Sequence, residues 1–551
     1  MDMLTIISFV GFTIFVAVVS WYATRNTDES SSEGYFLGGR SLGAVTIAGS
    51  LLLTNLSAEQ IVGLNGQAFT EGILVMAWET LAAIAMIVTA IFLVPKYMSR
   101  GVTTIPEFIE YRFDHQTKAI ISGLFLTGYV VVIIPSVLYS GSLAFSTMFD
   151  LPAVLGISHT ASIWLCVWSI GLIGMIYAVF GGLKAVAVSD LINAIGLLIG
   201  GILIPVFGLM AIGEGSVMTG ISTLYTENPE KFNVVGEVDN SIPFGTIFTG
   251  MMLVQMFYWG TNQAILQRVF AARNLKEGQK GMILAALVKF LIPLIVVLPG
   301  VIAYHLFQGN LSNPDQAYPT LVRTVLPATF MGFFAAVLFG AVLSSFNSIL
   351  NSSATLFGFD LYKQYFNKTA TEHQIVKASK IFGLVLGLLG MSVAPLIANA
   401  PNGLFAWLQE ANGCYSIPIL TVVIIGFFTK RVPALAAKIG IASGVILYSI
   451  SQFIVKPYFV DSAMAKAAAD GITNAKALSV IQAEAYPHFL HVMAILFVLN
   501  IGIMLLVGKM YPMAHDHVVR SNDKVDITPW KHAVVTGILI TILVLSTYFI
   551  F

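Results

Sequence analysis

The sequence predicts an all-α membrane protein of about fourteen transmembrane helices, and three observations carry that expectation. The first is composition: 551 residues that are 57% hydrophobic and only 10% charged, with a mean hydropathy of +0.85, lie outside the range of water-soluble domains. The second is the recurrence of apolar runs near the ~20 residues that a crossing needs. They fall at 4–23, 43–66, 72–94, 117–147, 160–180, 187–213, 244–267, 282–307, 328–358, 377–398, 403–428, 434–457, 487–508 and 530–550. The third is charge. With the N-terminus outside, most of the 28 Lys and Arg residues collect on the cytoplasmic side. Only Lys231, Arg323, Lys456, Lys466 and Lys476 fall outside, and Lys289 lies within a span. Cytoplasmic loops are expected to carry this excess, and adding or dropping one span scrambles it. The even count, with both termini outside, therefore has support independent of hydropathy.

Taken in order, the first run has only Asp2 ahead of it and no basic region, so it reads as a retained helix rather than a cleaved signal. Residues 24–34 read as a polar linker. The segment TIPEFIEYRFDHQ, 104–116, alternates apolar and charged residues and is expected along the membrane interface. The outside connections 213–243 and 458–486 are too short for a domain and carry the Gly, Asn, Asp and Glu of loops. Acidic and basic residues balance at 28 each without a basic run, which argues against nucleic acid. Cys166 and Cys414 lie far apart in apolar surroundings and suggest neither a disulfide framework nor a metal site.

Two spans are interrupted by polar residues. LTNLSAEQIVGLNG, 53–66, carries Thr54, Asn55, Ser57, Glu59, Gln60 and Asn65, and MMLVQMFYWGTNQAILQR, from Met251, carries Gln255, Gly260, Thr261 and Asn262. In lipid, irregular backbone survives only where it is buried or lines a cavity. Interruptions at corresponding positions of two halves point to an inverted-repeat transporter with its site at the midplane. The halves would be 43–213 and 244–428, preceded by an extra helix and linker at 1–42, joined by an external loop at 214–243, and followed by three helices in 429–551.

Glu59, Glu79, Lys289 and Glu410 sit inside apolar runs, where a charge at a helix centre costs roughly 2.5–3.5 kcal/mol. A single Lys–Glu pair locking helices together is the simpler alternative, but one lysine cannot neutralise three carboxylates. The amides Gln60, Gln255 and Gln409 beside Trp78, Tyr258, Trp259, Phe405 and Trp407 suit a polyhydroxylated solute, with sugar the natural guess. In AVLSSFNSILNSSAT, 341–355, Ala341, Ser344 and Ser345 share one helical face, while Ser348, Ser352 and Ser353 read as packing residues. With unwound carbonyls from 53–56, that face would make an all-oxygen, uncharged cation site suited to Na+.

SAEQ at 57–60, IPEF at 105–108, GGLKAVAVSD at 181–190, YWGTNQAILQR at 258–268 and LNSSATLF at 350–357 resemble the sodium/solute symporters, most of all their bacterial sodium/galactose branch. The resemblance runs from YFLGGRS at residue 35 to about residue 430. It implies a leucine-transporter-type core of two inverted five-helix repeats with discontinuous first helices, in a bacterial-type inner membrane. Sugar contacts would fall on Gln60, Glu79, Gln255, Lys289 and Gln409. The inner gate would be Tyr258, held by Asn55, and the outer gate Leu64, Trp78 and Phe405. Sodium ligands would be the carbonyls of Leu53, Leu56 and Ala341 with the hydroxyls of Ser344 and Ser345, and Asp190 would stand near the ion's inward exit. Three positions depart from the galactose branch: Ala82 replaces a serine, Gln255 an asparagine and Trp78 a tyrosine. An aldohexose or related polyol is therefore a safer expectation than galactose. The competing readings are a sodium symporter of another small organic solute and an uncoupled sugar sensor or channel. A membrane redox enzyme is disfavoured, because all nine histidines fall in loops or near span ends and no nucleophile arrangement is visible.

Overall fold

The computed structural model describes residues 3–25, 31–180, 182–308, 310–311, 313–399, 404–517 and 525–549. Residues 26–30 of the expected linker, Gly181, and Arg520 and Lys524, expected on the cytoplasmic side, lie outside the described residues.

The described chain is helical throughout, with one isolated bridge, Leu42 to Ala272. Ten helices are long and apolar enough to cross a membrane, among them Met3–Thr24, Leu183–Ile212 and Leu404–Phe428. Two bent pairs raise the number to twelve: Ala44–Asn55 with Ala58–Glu71, bent by 55°, and Leu275–Val288 with Pro293–Phe307, bent by 50°. The remaining two expected runs come as shorter pieces. Run 244–267 contains Met252–Gly260 and Gln263–Phe270 separated at Thr261 and Asn262, and run 530–550 gives Ala533–Phe549. Hydropathy sums across such breaks, so it counts fourteen where unbroken helix counts fewer.

Proline explains much of the irregularity. Pro293 has no N–H for the carbonyl of Lys289, which instead accepts from Ile292 at 3.3 Å, and the helix breaks there. Wide π turns at Thr89–Leu93, Tyr129–Ile133 and Ser451–Val455 each stand just before Pro95, Pro135 and Pro457. In each, the carbonyl four residues before the proline falls inside the wide turn, where the ladder has been re-registered around the missing donor.

The connections expected to be loops are partly helical. Val217–Glu227 is capped by Ser216, and Ala475–Glu484 by Asn474. Their polar residues are caps rather than coil. Segment 104–116 is also better anchored than an interfacial helix. Ile105–Arg112 starts on the Thr104 side chain, and buried Arg112 donates to the carbonyls of Gly426 at 3.2 Å, Val432 at 3.1 Å and Thr429 at 3.0 Å, pinning it to the end of Leu404–Phe428.

One apolar core links nearly every helix. Within it, Ala44–Asn55 packs against Leu183–Ile212, Leu275–Val288 and Ala328–Thr355, while Met252–Gly260 packs against Ala77–Val88 and Leu404–Phe428. The two bent spans are also tied together. The Asn65 amide donates to the carbonyls of Ile61 at 2.8 Å and Ile295 at 3.2 Å, and its oxygen accepts from the Gly300 N–H at 2.9 Å. Breaks on both spans thus meet near the centre of the helix assembly.

Candidate functional site

The polar stretch 53–66 breaks where Leu56 (ψ 55°) and Ser57 (ψ 175°) leave helical geometry. Among the described residues, no backbone N–H of residues 57–59 donates to the carbonyls of residues 53–55. These carbonyls are buried oxygens without helical partners, the cost that a bound cation or a neighbouring hydroxyl would offset. Ser345 supplies one such hydroxyl, donating to the Thr54 carbonyl at 3.3 Å. Beside it the Ser344 hydroxyl is buried, makes no hydrogen bond of standard geometry among the described residues, and faces the Asp190 carboxylate. Ala341, buried, stands one turn earlier on the same helix as both serines. The oxygen set is uncharged and suits a hard monovalent ion.

Asp190 and Arg268 lie beside this set. The Ser50 hydroxyl donates to Asp190 Oδ2 at 2.5 Å, Arg268 Nε donates to Ser50 at 3.0 Å, and Arg268 Nη2 stands 4.0 Å from Asp190. Arg268 also donates to Ser348, and Ser352 donates to Gln267 at 3.0 Å. Ser348 and Ser352 are therefore hydrogen-bonding partners and not the plain packing residues that their small size suggests. Ser353 fits that expectation, bonding back to the Ile349 carbonyl of its own helix.

Of the expected solute residues, three are joined directly. Gln60 donates to one oxygen of Glu79, Lys289 pairs with the other, and Lys289 also donates to the Asn55 side chain. Glu79 and Lys289 are each 1% exposed. The Lys289 ammonium lies 5.4 Å from the centre of the Trp259 ring, giving the cluster an aromatic wall. Lys289 ends Leu275–Val288 at the proline-induced break, and Gln60 lies in the first turn after the break at Ser57, so both broken spans deliver a group to one point. Asn55 is shared, since it also lies within hydrogen-bonding reach of the half-buried Tyr258.

Other expected members lie apart from this cluster. Gln255 donates to the Trp78 carbonyl at 2.9 Å rather than to the charged pair. Gln409 is half-buried and makes no hydrogen bond among the described residues. Glu410 does not share Lys289: it pairs with Lys456 at 2.6 Å, a partner on a C-terminal helix that local hydropathy cannot reveal. Of the four ionisable residues found in apolar runs, only Glu79 and Lys289 pair with each other. Glu59 takes no bond from the cluster, and its Oε2 is buried without a partner.

Trp78 and Phe405 meet edge to face with ring centres 5.3 Å apart, and with Leu64 all three are 3% exposed or less. Gly63 allows Phe405 this close, because a Cβ there would stand 2.8 Å from the Phe405 Cβ. On the far side of these rings lies a cavity of about 820 Å3 with Phe405 in its lining. Gln60, Glu79 and Lys289 do not line it, so the rings separate the vestibule from the buried cluster. Sequence reasoning missed the Lys289 break, the Arg268–Asp190 pair and this vestibule. Pro293 was the available signal for the first.

Broken helices meeting at a buried ion pair, with a set of uncharged oxygens beside them and edge-to-face rings nearby, fit an ion-coupled secondary transporter. Comparison with known proteins agrees. Residues 35–444 match the sodium:solute symporter family. The uncharacterized symporter YidK of Escherichia coli (strain K12) is 46% identical over 100% of this chain and 91% of its own length. The sodium/glucose cotransporter of Vibrio parahaemolyticus is 31% identical over 80% and 84%, and the human sodium/myo-inositol cotransporter 2 is 29% identical over 79% and 68%. A solved, substrate-bound outward-open Na+-coupled sialic acid symporter shares the fold with a TM-score of 0.69 at 20% identity, over 90% of this chain and 98% of that one. The chain belongs to the sodium:solute symporter family. It is a multi-pass membrane transporter that uses Na+ as coupling ion, and its relatives are transporters rather than enzymes.

Proposed function

We propose that this symporter imports an aldohexose or related polyol by alternating access. The observation that supports this most is the cluster of Gln60, Glu79, Lys289 and Asn55, a neutral pair dressed with amides near the edge-to-face rings of Trp78 and Phe405. A sugar presents hydroxyls that replace such internal hydrogen bonds and a ring face that lies on aromatic carbon. The sodium/glucose and sodium/myo-inositol relatives support the same solute class.

In this reading Gln60, Glu79, Gln255, Lys289 and Gln409 hold the solute, with Tyr258 and Asn55 closing the inner side and Leu64, Trp78 and Phe405 the outer. The carbonyls of Leu53, Leu56 and Ala341 and the hydroxyls of Ser344 and Ser345 hold Na+, and Asp190 receives it on the way inward. Fourteen spans, with inverted repeats over 43–213 and 244–428 and both termini outside a bacterial-type inner membrane, complete the arrangement. One positive charge moving inward gains about 2.3 kcal/mol per 100 mV, enough to drive uphill uptake.

The test is uptake by the reconstituted protein of radiolabelled D-glucose, D-galactose and myo-inositol with Na+ and with K+ outside. At least one should accumulate only with Na+. Na+-driven uptake of none of these, alongside uptake of a solute without vicinal hydroxyls, would overturn the sugar assignment.

A further inference from the structure

The vestibule is chemically furnished beyond what a passage needs. Its volume of about 820 Å3 lies within the ~300–1,000 Å3 of ligand pockets. Tyr139 and Asp315 line it, only 5% and 7% exposed. The Tyr139 hydroxyl makes no hydrogen bond among the described residues, and Asp315 spends Oδ2 on the Leu404 N–H at 3.2 Å while leaving Oδ1 without a partner. Gln67 Oε1 is buried and unpartnered. Glu410 gives one oxygen to Lys456 and keeps the other, and the Gln482 amide is unengaged among the described residues. Phe405 adds a ring at the side facing the gate. The Gln67 oxygen is fully buried and costly to leave unpaired, while the other groups line the cavity, where a ligand's hydroxyls can reach them.

The cavity also has a built outer wall. Lys476 pairs with Glu237 at 2.8 Å and Asp239 at 2.9 Å, and Ser479 donates to Asp239 at 2.7 Å, tying Ala475–Glu484 across the opening to the external connection. The lining residues from Lys456 to Phe489 fall beyond the 35–444 stretch that matches the family. Charge limits the occupant further. Lys456 and Lys476 are matched to Glu410 and Asp239, whereas Asp315 and Glu71 form no ion pair among the described residues. The resulting excess of negative charge disfavours an anionic solute.

We propose that the vestibule is a second, outer binding station for a neutral polyhydroxylated solute, which docks on Tyr139, Asp315 and Phe405 before the gate opens. This rests on the sugar reading above and adds a site to it. The station lies across the Trp78–Phe405 pair from the Na+ ligands, so its occupancy is independent of Na+.

Equilibrium binding of radiolabelled D-glucose and myo-inositol to the purified full chain tests it. Two sites per chain are expected in Na+ and one in K+. Lys289→Ala should retain the single Na+-insensitive site, and adding Tyr139→Phe should weaken it about fivefold or more, as loss of a buried hydrogen bond does. Asp315→Asn provides a second variant with nearly unchanged shape. One site per chain in the wild type, or a residual site indifferent to both substitutions, overturns the outer station. If Na+-driven uptake of a probe persists with a single site, only the station is wrong. If neither probe binds or is taken up, the sugar reading falls and the station with it.

Discussion

Glu79 and Lys289 are each buried to 1% exposure and joined to Gln60 and Asn55, so both charges are balanced before any solute arrives. Removing one member of a buried pair costs about 3–5 kcal/mol, because the other is left uncompensated. A pair that only locks helices would lose stability on mutation but keep its ligand. A pair that also receives hydroxyls loses the ligand first. Glu79→Gln and Lys289→Ala are therefore expected to abolish the Na+-dependent component of D-glucose or myo-inositol binding by calorimetry, leaving only the Na+-insensitive vestibule site, while each variant still elutes as a folded, monodisperse species in detergent. Normal binding by both variants would assign the pair to structure alone. Much of this residue-level site was legible, since Gln60, Glu79 and Lys289 are expensive groups in apolar runs and had to find one another. The Glu410–Lys456 pair was not legible. Its partners lie on different helices, and nothing in either local sequence says that they meet.

At the scale of elements, the break at Leu56–Ser57 was readable from Asn, Ser and Gly in place of a long aliphatic run, and the backbone indeed leaves helix there. The break at Lys289–Ile292 was masked by apolar neighbours, although Pro293 marked it. The helices within connections 213–243 and 458–486 were obscured because capping residues and loop residues are the same amino acids. The second half-span, Ala58–Glu71, meets Leu404–Phe428 where Gly63 lies under Phe405, with no room for a Cβ. Gly63→Ala should push Phe405 off Trp78 and leave the outer gate ajar. The expected outcome is several-fold faster release of bound radiolabelled solute into the outside medium, with Na+ affinity in the absence of solute unchanged. Unaltered release would mean that the Trp78–Phe405 pair does not retain the solute.

For the whole molecule, the feature that matters is that in the proposed reading one broken span serves two ligands. The Thr54 carbonyl before its break accepts from Ser345, and Gln60 after the break bonds to Glu79. Anything that fixes the geometry of the break for one ligand fixes it for the other, and such coupling is reciprocal by thermodynamic necessity. The family and the helical architecture were legible from composition and motifs. The vestibule was not, because its wall combines the 213–243 connection with C-terminal helices that converge only in three dimensions. The most direct test of the shared break is a complete binding cycle on the purified protein. Affinity for D-glucose or myo-inositol is measured with and without Na+, and affinity for Na+ with and without that solute. The account predicts equal enhancement factors of about fivefold or more on both sides of the cycle, and a tenfold or greater loss of Na+ affinity in Ser345→Ala, the ~1.4 kcal/mol or more expected when an ion ligand goes. Solute affinity that is the same in Na+ and K+, or Na+ affinity untouched by Ser345→Ala, would contradict it.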